Sequence, residues 1–286
     1  MRVHTVLSIG VKRKQKYKFF PTFVCLFMPI VTITSDWSRS DYYAGSLKGA
    51  LVTRCPGIEV VEISHQIRSF DVMQCVFVLR HAFVHFPQGT IHLLAVQSEP
   101  ESLVPMVVVA AQGHYFVGLN DGRFSLLLDN PPDTAYALPI PAEPHSFAAL
   151  RLFTRAVAMV VEGQIEAEGK LCPLVVESTG RAVYNSSEII GRVVYIDSYG
   201  NAITNIRRTI FVKVSQGRPF DIFVGGPFAK LSRMSGAYDD VSSGEMLALF
   251  NSTGYLEIAV NRANLAQLEN IDTHSEIRIK FYERKR

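Results

Sequence analysis

Few positions in this 286-residue chain combine residue type and spacing in a way that could do chemistry. Thr34-Ser-Asp36 follows the apolar run Ile30–Ile33 and precedes a helical pattern. In an open α/β sheet, ligands collect outside the carboxyl ends of strands. A carboxylate placed there can accept both hydroxyls of a sugar diol; the plainer alternative is that Asp36 caps the next helix. Asp197-Ser-Tyr-Gly-Asn201 follows a second apolar run, with Asn205 close behind. An Asn amide pairs a donor with an acceptor and so matches an adenine edge, although Gly-Asn is first of all a hairpin turn. Gly244-Glu245 and Asn251-Ser-Thr-Gly254 read as loops between strands. The chain has no Gly-rich phosphate loop, no His-Glu-x-x-His and no Gly-x-Ser-x-Gly.

The elements that must position these residues follow from hydrophobic periodicity. From Ile30 to about Val161, apolar runs at 30–34, 58–63, 90–96 and 106–111 alternate with helical patterns, which predicts βα units and a largely parallel sheet. Asp41 to Arg54 carries Tyr43, Leu47, Ala50 and Leu51 on one stripe, with Ser40 or Asp41 as the N-cap and Pro56-Gly57 as the stop. Asp71 caps a second helix, in which Val72, Cys75, Val76, Leu79 and Phe83 share a face. His114 to Val117 and Arg123 to Leu128 read as a hairpin around Asn120-Asp121-Gly122. After about Gly169 the texture changes. The short runs 193–196, 202–206, 210–214, 246–250, 255–260 and 276–282, separated by Gly, Asn and Ser turns, predict an all-β unit. The expected fold class is therefore an N-terminal α/β domain over 28–170, a linker over 171–190 and a C-terminal β-barrel domain over 191–286.

Composition narrows the function classes. With 48% hydrophobic and 19% charged residues the chain has the make-up of a folded protein. Of 29 Lys and Arg, six (Arg2, Lys12, Arg13, Lys14, Lys16 and Lys18) fall in residues 1 to 27, which hold no acid. The rest balances 23 bases against 26 acids, a body with no field built to neutralise phosphates, so no nucleic-acid partner is expected. The apolar run Phe19–Ile33 is shorter than a bilayer span and contains Pro21 and Pro29, so no membrane partner is expected either. Cys25, Cys55, Cys75 and Cys172 lie far apart, without metal-ligand spacing, which fits a reducing, cytoplasmic setting. Residues 1 to 27 read as an upstream or disordered extension, with the native chain expected to begin near Met28.

One ordered set of motifs carries more. Ile33-Thr-Ser-Asp36, Tyr43-Ala-Gly45 with Lys48-Gly49, Glu62-Ile-Ser-His65, Phe86-Pro-Gln-Gly-Thr-Ile-His92 and Ile196-Asp-Ser-Tyr-Gly-Asn201 are followed by Gly244-Glu-Met-Leu-Ala-Leu249 and, through Ser252, by Tyr255-Leu-Glu-Ile-Ala-Val-Asn261. The set resembles the S-adenosylmethionine (SAM) hydroxide adenosyltransferase family, which includes the SAM-dependent fluorinase and chlorinase. The resemblance covers about residues 28 to 286. It implies an α/β domain, a C-terminal barrel and a homotrimer whose SAM or adenosine sites lie between subunits, with no separate cofactor and no metal. It further implies that Asp36 binds the ribose, Phe70 flanks the sugar, Asn201 and Tyr238 contact adenine, Ser252 meets the methionine end and Asp197 faces the amino group. Aromatic faces suit a flat purine and a sulfonium cation.

At the reacting centre the chain departs from that pattern. Where hydrolytic members carry an Asp, an Arg and a His that orient and activate water, this sequence has Gln97, Val104 and Ala148. The halogenase pattern is absent too, with Gln97, Pro100 and Ala149 in place of its Tyr, Thr and Ser. Ser98, Glu99, His145, Arg68 and Arg151 lie close to the vacated positions, and Glu99, His145 and Arg151 are the catalytic candidates. His65 and His92 sit on strands and read as structural. Two classes of function stay open: a SAM-cleaving enzyme with replacement residues, and an adenosyl-binding or structural trimer without the chemistry. The expectation is binding of SAM or adenosine with slow or absent cleavage.

Overall fold

The computed structural model describes residues 28–101, 103–139, 146–177, 180–226 and 229–283. The extension 1 to 27 and His145 lie outside them. The N-terminal half contains β1 (Ile30–Ser35), α1 (Tyr42–Arg54), β2 (Glu59–Ser64), α2 (Val72–Ala82), β3 (Ile91–Ala95), β4 (Met106–Ala111), β5 (His114–Leu119), α3 (Arg123–Leu127), β6 (Thr134–Ala137), α4 (Ala148–Val161), α5 (Ile165–Glu168) and β7 (Lys170–Leu171). Its sheet runs β2-β1-β3-β5-β4-β6-β7. The first four of these strands are mutually parallel and the others pair antiparallel.

Both faces of this sheet are covered. Leu47 and Leu51 of α1, with Leu152, Phe153, Ala156 and Val157 of α4, pack on Val31, Ile33 and Leu93. Cys75, Val76 and Leu79 of α2, with Phe124 and Leu127 of α3, pack on Leu94, Val107 and Phe116. That double cover is why every residue of β3 is buried and the strand reads as a continuous apolar run. Asp71 caps α2 by accepting from Gln74 N at 2.8 Å, whereas Asp41 stands at the N-cap of α1 without a side-chain cap bond.

The C-terminal half holds β8 (Val183–Tyr184), β9 (Glu188–Ile196), β10 (Ala202–Arg207), α6 (Arg208–Ser215), β11 (Phe220–Val224), β12 (Lys230–Leu231), β13 (Met246–Phe250), β14 (Tyr255–Val260), α7 (Leu265–Leu268) and β15 (Glu276–Phe281). Its strands pair antiparallel in the order β12-β11-β15-β9-β10-β14-β13, with β8 on β9, and curl into a nearly closed barrel. Ile189, Ile206, Ile222, Ile258 and Ile277 are among the buried residues inside it.

Two predicted elements are corrected. His114–Leu119 is an interior strand between β3 and β4 that forms its hairpin with the preceding β4, not with the segment after Asn120-Asp121-Gly122, and Arg123–Leu127 is a helix with Gly122 at its N-cap at φ 102°. Residues 210–214 lie in α6, where Phe211 and Val214 are buried at helical spacing. Their β-branched composition had suggested a strand.

The halves touch through α2. Phe77 stacks on Tyr195 of β9 with ring centroids 5.0 Å apart, and Arg80 and Arg207 of β10 both pair with Asp129. Among the described residues no helix is long and apolar enough to cross a membrane.

Candidate functional site

The chain passes from β1 to β2 on one side of β1, then to β3 on the other. This reversal opens a crevice at the carboxyl ends of β1 and β3, where an α/β sheet takes its ligands. Residues just past β1, β3 and β5, together with the loops before α2 and α4, enclose a cavity of about 700 Å³ there.

Asp36 stands at its centre. Its Oδ2 accepts from Phe70 N at 2.9 Å and, at the limit of a hydrogen bond, from Gln97 N at 3.5 Å. Among the described residues its Oδ1 makes no hydrogen bond, so one oxygen is left for a ligand. Phe70, Gln97 and Phe147 all line this cavity with left-handed backbones, at φ 67°, 43° and 71°. Residues other than glycine rarely adopt that conformation, and such strain collects at functional sites. Phe147 meets Trp37 and Tyr43 edge to face, with ring centroids 5.1 Å and 5.0 Å away, and Phe70 presents a largely exposed ring.

Beneath Asp36, Ser35 Oγ accepts from Trp37 N at 3.3 Å and lies 2.6 Å from His65 Nδ1. Burial pushes the His65 pKa down, which favours the neutral ring, with one proton shared between Nδ1 and Ser35 Oγ. Glu62 Oε1 is 3.6 Å from Nε2, too long for a hydrogen bond, and is itself held by Lys48 at 2.5 Å. His92 is structural in the same sense: its Nδ1 is 2.7 Å from Thr32 Oγ1 and its Nε2 is 3.2 Å from His114 Nδ1.

The end of β3 is fixed from inside the protein by Arg123, whose side chain is fully buried. Its Nη1 donates to Leu94 O at 3.1 Å and Val96 O at 3.0 Å; its Nη2 donates to Gln97 O at 3.3 Å and Asp121 Oδ2 at 2.7 Å; its Nε donates to Asp121 Oδ1 at 2.8 Å. All five N–H groups of the guanidinium are thus satisfied. On the same loop Glu99 Oε2 accepts from Ala148 N at 3.0 Å, which ties the β3 end to the first turn of α4. Ser98 is buried between them and lines the cavity.

Electrostatics distinguish this cavity. Asp36, Asp41, Glu99, Glu101 and Asp121 line it, and no Lys, Arg or His does so among the described residues. A wall of carboxylates and aromatic rings favours a cationic ligand. Among the described residues no cluster of His, Cys, Asp or Glu is arranged to hold a metal ion.

The other predicted contacts lie elsewhere in the chain. Asp197 organises the β9–β10 turn, its Oδ1 accepting from Tyr199 N and Asn201 N, both at 2.9 Å, and its Oδ2 from Asn201 Nδ2 at 3.1 Å. Gly200 in that turn has φ 84°, and a Cβ there would sit 2.1 Å from Asn264 Oδ1, so only glycine fits. Tyr238 donates to the buried Glu257 at 2.5 Å; burial and then that carboxylate push its phenol pKa up. Ser252 is exposed at the β13–β14 turn. None of these four lines the cavity around Asp36. Of the catalytic candidates, Glu99 does line it, while Arg151 faces a separate depression with Arg54 and Glu162. Sequence reasoning missed Trp37, Tyr42, Asp121, Arg123 and Phe147, of which only Asp121, in a turn after an apolar run, left a visible signal.

Residues 31–169 match the SAM hydroxide adenosyltransferase N-terminal domain, and residues 191–278 match the C-terminal domain of the same name. The chain belongs to the SAM hydroxide adenosyltransferase family. Within that family it is 30% identical to an (R)-S-adenosyl-L-methionine hydrolase of Thermus thermophilus over 270 residues, covering 87% of this chain and 98% of the relative. A hydrolase of the same name from Methanocaldococcus jannaschii is 25% identical over 272 residues, 89% of this chain and 97% of that one. An Actinoplanes fluorinase is more distant, at 22% over 291 residues, 85% of this chain and 94% of the fluorinase. A solved structure of an uncharacterized conserved protein from Thermotoga maritima superposes with a TM-score of 0.77 at 26% identity, covering 88% of this chain and 99% of that one.

Proposed function

We propose that this family member binds SAM and cleaves it slowly with water to adenosine and methionine. The supporting observation is the free oxygen of Asp36 at the crevice between β1 and β3, in a cavity walled by carboxylates and aromatic rings. The carboxylate receives the ribose hydroxyls, while the acidic wall favours the sulfonium over a neutral adenosine. No cofactor is needed, because methionine leaves from an already cationic sulfur. In this reading Asp197, Asn201, Tyr238 and Ser252 come from a neighbouring copy of a homotrimer, since they lie away from Asp36 within one chain. The described cysteines are free thiols, in keeping with a cytoplasmic setting.

Slowness follows from position. Gln97, Val104 and Ala148 supply neither charge nor proton transfer at the positions where the family resemblance implies an Asp, an Arg and a His, a loss on the order of 10² to 10⁴ in rate. Binding survives because only contacts stronger in the transition state accelerate the step.

Titration calorimetry with SAM and with adenosine tests the binding. SAM is expected to bind more tightly than adenosine, and Asp36→Ala to weaken both by roughly 10- to 100-fold, the range for losing hydrogen bonds to a charged group. Unchanged affinity in that variant would exclude the ribose assignment. Light scattering at micromolar concentration is expected to give three times the chain mass of 31.9 kDa; a monomer would exclude the shared site.

A further inference from the structure

We propose that Glu99 is the catalytic base of this hydrolysis, the group that takes a proton from the attacking water. The inference rests on the reading that the cavity holds SAM. Five carboxylates line the cavity, and their bonding separates them. Asp36 anchors Phe70 and Gln97, and Asp121 spends both oxygens on Arg123. Asp41 begins α1, and Glu101 turns the chain back to Val104 through paired backbone bonds, neither side chain being held by a protein donor among the described residues. Two of the five, Asp36 and Glu99, have one oxygen fixed by a backbone amide and the other without a hydrogen bond among the described residues; with Asp36 assigned to the ribose hydroxyls, Glu99, held by Ala148 N at 3.0 Å, is the one left to meet the water. That arrangement aims a carboxylate while leaving it an acceptor for water.

The support beneath it is rigid. Glu99 follows Gln97 by two residues, and the carbonyls of Val96 and Gln97 are gripped by the buried Arg123. Its anchor, Ala148, opens α4, whose next turn is packed in the core through Ala149, Leu152 and Phe153. A base held from two elements loses little freedom on reaching the reactive geometry.

In the step, the water oxygen forms a bond to the ribose 5′ carbon and the carbon–sulfur bond breaks. Its electron pair stays on sulfur, so methionine leaves as a neutral thioether. Glu99 Oε1 accepts the proton the water sheds and later returns it to solvent. SAM and water give adenosine, methionine and one proton, with no oxidant or reductant.

Glu99→Gln in the full chain is the test. The Gln side-chain oxygen still accepts from Ala148 N, so the loop stays anchored, but it cannot take a proton. Single-turnover release of adenosine and methionine from SAM is expected to fall at least about 100-fold, with the Kd for SAM within a few-fold of wild type. Glu99→Asp, a carboxylate on a shorter arm, is expected to fall between the two. An unchanged rate in Glu99→Gln with SAM bound overturns the assignment, as does a wild type that binds SAM and releases no adenosine. Failure of wild type to bind SAM in the calorimeter overturns instead the reading on which the proposal stands.

Discussion

Arg123→Met is expected to lower folding stability by about 3 to 5 kcal/mol, the usual cost of removing one partner of a buried ion pair. Methionine fills much of the volume but offers none of the five N–H groups that serve Leu94 O, Val96 O, Gln97 O and Asp121. The Asp121 carboxylate then faces the cavity beside four others with no cation behind it. Urea denaturation of wild type, Arg123→Met, Asp121→Asn and the double variant forms a cycle in which the double loss should be smaller than the sum. A single-variant loss under about 1 kcal/mol would show that the guanidinium is replaceable by water.

The second large effect is acid lability centred on His92. This fully buried ring lies between Thr32 and His114 and against Phe116, and burial, with His114 adding to it, pushes its pKa down to about 3. In the unfolded chain a His titrates near 6.5. Below that pH the unfolded state takes a proton that the folded state refuses, so stability is lost as pH falls from about 6.5 toward about 3, at up to about 1.4 kcal/mol per pH unit. Above 6.5 the ring contributes no slope. Burial lowers His114 in the same direction, so the pair acts together. Equilibrium unfolding at pH 7 and pH 5 should show wild type losing on the order of 2 kcal/mol more than His92→Gln, which cannot titrate but can still bridge Thr32 and His114. Equal losses in the two proteins would place the acid sensitivity elsewhere.

What could be read in advance was what local pattern determines. β1, α1, β2, α2, β3 and β4 announce themselves by period and by Asp71, Pro56-Gly57 and Pro87-Gln-Gly89 as punctuation. Asp36 stood out because it ends a strand. The Asn120-Asp121-Gly122 turn misled because its meaning is set far away: Asp121 holds Arg123 from two residues off, but the carbonyls that the guanidinium reaches lie 26 to 29 residues earlier. Phe147 was invisible for a similar reason. Its left-handed backbone accompanies ring contacts with Trp37 and Tyr43, more than a hundred residues earlier. In α6 composition and spacing disagreed, and burial of Phe211 and Val214 against the barrel decided for the helix. The role of Glu99 could not be ranked by sequence at all, since the amide that fixes it belongs to a residue 49 positions away.

The saturated guanidinium also bears on how this sequence can have changed over time. Arg123 and Asp121 are each costly to alter while the other remains, since one change leaves a buried cation without its counter-ion and the other leaves an acid without its donor. Divergence at these two sites is therefore a ridge crossing and not a walk: lineages should hold both charges or neither, and intermediates with one should be short-lived. Once the pair is in place, it acts as a ratchet that makes the β3 end hard to remodel. The loop carrying Gln97 and Glu99 can then explore new side chains on a backbone that selection has little room to move.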